Sequence, residues 1–168
     1  MDESESEDSL SITVVSETGR VPALLERVDQ FARRHGAWDT NGLLLVVREL
    51  VMNAIVHGND SEMARMARIR LAWRDGLFEV QVDDEGEGFD YDSLVLGLPE
   101  DPQSLTKRGL VLVHELSEDL AFERGGSRVR AIVDPGSQSS APDRGHYDFM
   151  GRKSDREDSC TSPMAKSL

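Results

Sequence analysis

The sequence predicts an α+β protein built as a two-layer α/β sandwich, with a mixed, mostly antiparallel sheet and its helices on one face. Three observations predict this class. Apolar residues recur at helical spacing in three segments. In other segments they alternate with polar residues, which gives the order β-α-α-β-β-loop-α-β-β. Two strand pairs are joined by short glycine-containing turns, which indicate antiparallel hairpins. We expect one domain, residues 10–134, within the 168-residue chain.

The chain starts with an acidic segment that precedes a short strand. Residues 2–9 carry five acids and no base, and such a run has no apolar face to bury. We therefore expect a disordered tail over residues 1–9 and a first strand over residues 10–15. A helix follows between Gly19 and Gly36. Its apolar side chains recur at steps of three and four and form one stripe: Val21, Leu24, Leu25, Val28 and Phe31.

The second predicted helix, residues 41–57, is apolar on most of its surface, which is typical of a buried helix. Asp39 or Thr40 can cap its start, because short polar side chains accept hydrogen bonds from the free N–H groups of a first turn. Gly58 and Asn59 are expected to end it.

A hairpin and a long loop come next. Residues 67–74 and 77–83 alternate as strands, and the Asp75-Gly76 pair between them is a strong signal for a two-residue turn. Residues 84–106 contain three glycines, two prolines and few periodic apolar positions. Because long loops within compact domains usually form lids or binding loops, we expect this one to be functional.

The last predicted elements are a third helix and a second hairpin. The helix starts at Gly109 and runs to residue 116. Residues 119–124 and 127–133 form the hairpin around two glycines. The remaining residues, 135–168, are rich in Ser, Pro, Asp and Arg and poor in apolar side chains, so we expect a disordered tail.

The composition narrows the classes of function. The formal net charge is −13, and a chain this acidic repels nucleic acid and anionic membranes. No stretch approaches the roughly 20 apolar residues that cross a bilayer, and the acidic N-terminus is unlike a signal peptide. The single cysteine, Cys160, forms no intrachain disulfide, and the four histidines lack metal-ligand spacing. We therefore expect a soluble cytoplasmic protein without nucleic-acid or membrane partners.

Three polar side chains lie in line on the apolar second helix. Glu49, Asn53 and His57 are spaced by four residues, which places them on one stripe. The amide oxygen of Asn53 is a suitable ligand for Mg²⁺ that phosphates and water otherwise hold. Glu49 could accept a proton from an attacking hydroxyl group or water. A buried helix with one wet edge would show the same pattern.

A glycine-bearing turn, Asp84-Glu85-Gly86-Glu87-Gly88, lies directly after the predicted strand of residues 77–83. Its two glycines allow a ligand to approach the backbone closely. Asp84 could accept a hydrogen bond from an exocyclic amine such as that of adenine. A plain surface turn is an equally simple interpretation.

Two cations open the third predicted helix. The segment Lys107-Arg108-Gly109-Leu110 places positive charge where a helix already presents free N–H groups and the positive end of its dipole. Cations are unfavourable at that end unless an anion binds there, so a phosphate site is indicated. A solvated pair of cations is the alternative.

Together and in this order, the three segments resemble the N, G1 and G2 boxes of the GHKL ATPase superfamily, over roughly residues 10–133. The string ELVMNAIVHG, which starts at Glu49, is similar to that of the bacterial anti-sigma factor serine kinases. The resemblance implies a histidine kinase-like ATP-binding domain, the Bergerat fold, with ATP and Mg²⁺ as cofactors.

The resemblance also implies roles for individual residues. Asn53 would coordinate Mg²⁺, Glu49 would be the general base, and Asp84 would bind the adenine amino group. Ser127 is a weaker match to a residue that supports the adenine-binding aspartate through water. The remaining candidate cofactor-binding positions are Gly86, Gly88, Lys107, Arg108, Gly109 and Leu110.

The implied function is a kinase that phosphorylates a serine or threonine of a STAS-type anti-sigma factor antagonist and binds a sigma factor. The resemblance also allows a homodimer through the N-terminal strand and first helix. Lys107 stands where the family has glycine, which favours an alternative: a non-catalytic, nucleotide-gated adaptor whose lid, residues 90–106, orders on ATP. A third hypothesis is the ATPase half of a histidine kinase, but the sequence shows no helical hairpin with a phospho-accepting histidine.

Overall fold

The computed structural model describes residues 1–88 and 105–135, and of residues 105–108 it describes the backbone alone. Within these ranges the chain forms three α-helices and six strands. In chain order they are β1 Asp2–Glu5, β2 Ser9–Val15, α1 Val21–Arg34, α2 Asn41–Asn53, β3 Met66–Arg74, β4 Leu77–Asp83, α3 Leu105–Leu116, β5 Asp119–Glu123 and β6 Arg128–Val133.

The six strands form one sheet in the order β1-β2-β3-β4-β6-β5. Every neighbouring pair is antiparallel, so within the described strands the sheet is wholly antiparallel rather than mixed. The three helices share one core with a single face of the sheet, and Arg68 and Arg70 of β3 are exposed on the other face. The predicted two-layer α/β sandwich is thus confirmed.

The core lies between this face and the helices, because strand residues of alternating position are buried there. Leu10, Ile12 and Val14 of β2 are each 1% exposed. From the helical layer, Phe31 of α1 is fully buried and packs on Phe78 of β4, with ring centroids 6.2 Å apart. Burying a side chain of this size contributes about 1.5–3 kcal/mol, so the apolar stripes hold the two layers together.

The prediction of a disordered tail over residues 1–9 was wrong, because β1 pairs with β2 at the edge of the sheet. The acidic side chains have partners that the local sequence does not reveal. Glu3 binds Arg27 of α1, and Glu5 binds both Arg27 and Arg34. The hydrogen bond from Arg27 holds the pKa of Glu3 below its usual value. Charge pairing across the two layers therefore orders a segment that has no apolar face.

The boundaries of α2 also differ in detail from the prediction. The regular helix ends at Asn53, and a π-helical turn, Ala54–Gly58, continues it. At its start Thr40 makes no capping hydrogen bond, whereas the carboxylate of Asp39 accepts one from the backbone N–H of Asn41 at 3.0 Å. Of the two predicted caps, Asp39 therefore makes the contact.

The start of α3 lies upstream of its predicted position. The helix begins at Leu105 rather than at Gly109. Lys107 consequently has helical backbone angles with negative φ, which lysine adopts without strain. The β3–β4 hairpin is confirmed: Asp75 and Gly76 have φ values of 52° and 89°, as a type I′ turn requires.

Two predictions concern residues outside the described ranges. The proposed lid, residues 90–106, lies almost wholly outside the described residues, and so does the proposed C-terminal tail after Pro135. Both stay predictions. In the described ranges no helix is both long and apolar enough to cross a membrane.

Candidate functional site

The polar stripe of α2 lies at the edge of the core. Glu49 and Asn53 are one helical turn apart, which separates them by roughly 6 Å along the axis. Both side chains are partly buried, whereas His57, the third member of the predicted stripe, is exposed. Glu49 and Asn53 therefore lie at the boundary of the core, where a bound ligand could contact both side chains.

Asn53 has an unsatisfied amide. Its Nδ2 atom is one of two buried side-chain polar atoms that lack a hydrogen-bond partner in the described part of the chain, the other being Ser117 Oγ. Leaving such a donor unpaired costs about 1–3 kcal/mol. A bound group that accepts this hydrogen bond would remove the penalty, so the orphaned amide indicates a ligand with acceptor oxygens.

Asp84 lies against the end of the π-helical turn. A Cβ atom on Gly58 would lie only 2.4 Å from the Cγ and Oδ2 atoms of Asp84. A Cβ on Gly86 would lie 1.9 Å from the carbonyl oxygen of Gly58. Glycine is therefore required at both positions, because the carboxylate and the backbone of the turn occupy the space of their side chains. This role of Gly58 has no signal in the sequence, where a glycine at the end of a helix indicates only a stop.

The Asp84 carboxyl group is held in a defined orientation. Its Oδ1 atom accepts a hydrogen bond from the backbone N–H of Gly86 at 2.9 Å. The backbone N–H of Asp84 donates to the carbonyl oxygen of Ser127 at 3.0 Å. Burial raises the pKa of Asp84 above its ordinary value, and the Gly86 hydrogen bond opposes that effect. A partly desolvated carboxylate of this kind is suited to accept a hydrogen bond from a ligand amine.

Gly88 and Ser127 complete this end of the site. Gly88 has φ of 79°, and a Cβ there would lie 2.0 Å from the carbonyl oxygen of Gly125. The hydroxyl of Ser127 donates to the carbonyl oxygen of Arg124 at 3.0 Å. Ser127 therefore contacts Asp84 through its backbone, while its hydroxyl is engaged elsewhere.

The opposite end of the stripe meets α3. A Cβ on Gly109 would lie 2.6 Å from Oε2 of Glu49, so glycine allows the helix to approach the carboxylate. Arg48 donates to the other oxygen of Glu49. Leu110 is 8% exposed and belongs to the core, so its side chain packs α3 against the other buried residues. The side chains of Lys107 and Arg108 lie outside the described part of the chain.

These contacts give the site an order. Asp84 lies at the Gly58 end of the α2 segment, Asn53 lies between, and Glu49 lies at the Gly109 end. An elongated ligand along this stripe would meet an acceptor for an amine, then an unpaired amide, then a carboxylate beside Gly109 of α3. Within the described residues, no cluster of three or more His, Cys, Asp and Glu side chains could hold a metal ion. A metal here would depend on the amide and on oxygen atoms of the ligand.

Comparisons with known proteins identify the family of the domain. The family model described as histidine kinase-like ATPase domain matches residues 14–133. No curated protein matches the chain. Among solved structures, the chain is similar to the histidine kinase domain from the Erythrobacter litoralis EL346 blue-light activated histidine kinase, with 25% identity and a TM-score of 0.42. That match covers 55% of this chain and 43% of the other, so this chain spans less than half of that structure.

Proposed function

The chain belongs to the histidine kinase-like ATPase domain family of the GHKL type, and on that premise we propose that it is an anti-sigma factor-type serine/threonine kinase. ATP would lie along the α2 stripe, with its adenine at Asp84 and its phosphates toward Glu49 and α3. The observation that carries the proposal is the alignment of Asp84, Asn53 and Glu49 between Gly58 and Gly109.

The residues present fit a nucleotide. The Asp84 carboxylate would accept a hydrogen bond from the adenine amine, while Gly86 and Gly88 let the turn after β4 pack directly on the backbone of Gly58 and Gly125. The buried Nδ2 of Asn53 lacks an acceptor within the described residues, and a phosphate oxygen or a metal-bound water would provide one. In a chain of net charge −13, these local donors offset the long-range repulsion of a triphosphate.

Asn53 is also the residue proposed to hold Mg²⁺. A carboxamide oxygen together with phosphate oxygens and water is a suitable ligand set for that ion. When bound, Mg²⁺ would neutralise charge on the triphosphate. The chain's own contribution is to orient the Asn53 amide, which the helical backbone of α2 fixes one turn from Glu49.

Glu49 is the proposed general base. Arg48 holds one carboxylate oxygen, and the other faces the backbone of Gly109. In the transfer step, the hydroxyl oxygen of a substrate serine or threonine attacks the γ-phosphorus and its proton passes to Glu49. The bond between the γ-phosphorus and the bridging oxygen breaks, and ADP leaves. The resemblance of the ELVMNAIVHG string supports this role.

The proposed protein substrate is a STAS-type anti-sigma factor antagonist, with a sigma factor as a second partner and a homodimer as the assembly. Support for these partners comes from the family resemblance. Labelled ATP, Mg²⁺ and a candidate STAS protein would test the proposal, and we expect label on a serine or threonine of the STAS protein. Absence of nucleotide binding under these conditions would refute the site itself.

A matched pair of variants tests the base. Glu49→Gln keeps the shape of the side chain and removes its basicity, so we expect transfer to fall by roughly 10²- to 10⁴-fold while ATP affinity is kept. Glu26→Gln, at an exposed position on α1, makes the same chemical change away from the site and should leave transfer unaltered. If both variants transfer phosphate at the wild-type rate, Glu49 is not the base.

The second candidate function is the nucleotide-gated adaptor. It is favoured by Lys107, which replaces the glycine that the family has in its phosphate loop. Tight binding of ATP without label on any tested STAS protein, together with an ATP-dependent change in STAS affinity, would identify the adaptor.

A further inference from the structure

A buried asparagine immediately after the π-helical turn is connected to the turn that carries Asp84. Asn59 is completely buried. Its Oδ1 atom accepts a hydrogen bond from the backbone N–H of Glu85 at 2.8 Å. Its Nδ2 atom donates to Ser16 Oγ at 2.8 Å and to the carbonyl oxygen of Met66 at 3.0 Å. Both donors and the acceptor of this amide are therefore engaged.

The partners of Asn59 belong to three different elements and are linked to one another. Ser16, which follows β2, donates its hydroxyl to the carbonyl oxygen of Arg65 at 3.0 Å. The backbone N–H of Met66, at the start of β3, donates to a carboxylate oxygen of Glu85 at 2.9 Å. The side chain of Asn59 thus connects the turn after β4 to the end of β2 and to the start of β3.

One bond of this network lies directly beside the Asp84 carboxylate, namely the bond between Asn59 and the backbone of Glu85. Gly58 and Asn59 are consecutive, and so are Asp84 and Glu85. Gly58 contacts the carboxylate itself, while Asn59 holds the next peptide group of the turn. If the hydrogen bond to Glu85 were lost, the turn would keep the backbone bond from Asp84 to Ser127 and the bond from Met66 to the Glu85 carboxylate. Neither of these bonds involves the α2 segment, so the Asn59–Glu85 bond is the one that ties the turn to the end of that segment.

We propose that Asn59 is a positioning residue for adenine recognition, because its hydrogen bond to the Glu85 backbone fixes the direction in which Asp84 meets the 6-amino group of the base. The inference rests on the proposed nucleotide site, and it assigns to Asn59 a role that its position at a helix end does not suggest. Its effect is on discrimination between purines rather than on phosphate contacts.

The test compares binding of ATP with binding of purine riboside 5′-triphosphate, which lacks the 6-amino group. A hydrogen bond from that amine to a carboxylate should make the wild-type chain prefer ATP by roughly 10- to 100-fold. In Asn59→Ala we expect this preference to fall to within roughly threefold, mainly through weaker binding of ATP. A purely structural role would weaken both nucleotides equally and leave their ratio unchanged.

Ser16→Ala is the matched control, because it removes two bonds of the same buried network, those to Asn59 and to Arg65, and leaves the Asn59–Glu85 bond in place. It should lower the free energy of unfolding and keep the wild-type preference for ATP. If Asn59→Ala fails to fold, Asn59→Ser keeps a hydroxyl in the polar pocket but is too short to bridge all three partners. It should show the same lost preference.

The outcomes separate the inference from its premise. A wild-type chain that binds both nucleotides equally would overturn the assignment of Asp84 to adenine and the inference with it. A wild-type preference that persists in the folded Asn59 variant would overturn the inference alone. Loss of the preference in the Asn59 variant, with retention in Ser16→Ala, is the result we expect.

Discussion

Replacing Gly58 with alanine should disrupt nucleotide binding through a single steric contact. The new Cβ would lie 2.4 Å from the carboxylate carbon of Asp84, about 1 Å inside van der Waals contact. The backbone of Gly58 does not have positive φ, so alanine is otherwise compatible with the turn. The carboxylate is therefore expected to move and to break its bond to the Gly86 N–H. Losing a charged hydrogen bond to adenine would lower the affinity for ATP by roughly 10- to 100-fold.

The effect on folding can be separated from the effect on binding. Overpacking of this kind costs about 1–3 kcal/mol of unfolding free energy, which urea denaturation would measure beside nucleotide titration. Gly42→Ala is the control, since a Cβ there meets nothing within 4 Å and helix propensity alone predicts a small gain in stability. In the double variant Gly58→Ala/Asp84→Ala, stability should recover while ATP binding does not. Wild-type ATP affinity in the Gly58→Ala single variant would refute the contact.

Four other outcomes are expected. Because burial raises the pKa of Asp84, the folded protein keeps its proton to higher pH than the unfolded chain does. Stability should therefore fall as pH rises from about 3.9 to that raised value, a loss that Asp84→Asn abolishes in pH-dependent denaturation while it weakens ATP binding. Asn53→Ala should remove the Mg²⁺-dependent part of ATP affinity, so that titrations with Mg²⁺ and with EDTA agree; a persisting difference would place the ion elsewhere. Phe31→Ala should cost about 3–5 kcal/mol of unfolding free energy, and a cost under about 1 kcal/mol would contradict its place in the core. Neutralising Glu3 and Glu5 together should cost about 1 kcal/mol at low salt and nothing at 1 M salt, because these ion pairs are partly exposed; equal losses at both salt concentrations would exclude the charge explanation.

Elements with an apolar period could be predicted from the sequence, and elements held by distant charges could not. The stripe of α1 and the Asp75-Gly76 turn are local signals, and both occur where the pattern places them. β1 has no such signal, because its order depends on arginines more than 20 residues away along the chain, such as Arg27 against Glu3.

The candidate site divides in the same way. Helical spacing and a pair of glycines singled out Asn53 and Asp84 separately, and the family resemblance assigned both to one site. The contact of Gly58 with Asp84 joins residues 26 positions apart, and so does the bond between Asn59 and Glu85. Both are properties of the tertiary structure, and a glycine-asparagine pair at the end of a helix otherwise indicates only a stop signal.

The position of β1 affects how the protein would associate with itself. An edge strand offers unpaired N–H and C=O groups that invite another strand. All four residues of β1 are exposed, and Asp2, Glu3 and Glu5 are acidic. Glu3 and Glu5 already pair with Arg27 and Arg34 of α1, so a strand that joins this border meets carboxylates whose charge is largely neutralised. The border of the sheet can therefore extend by pairing with the same strand of a second copy, as the proposed homodimer requires.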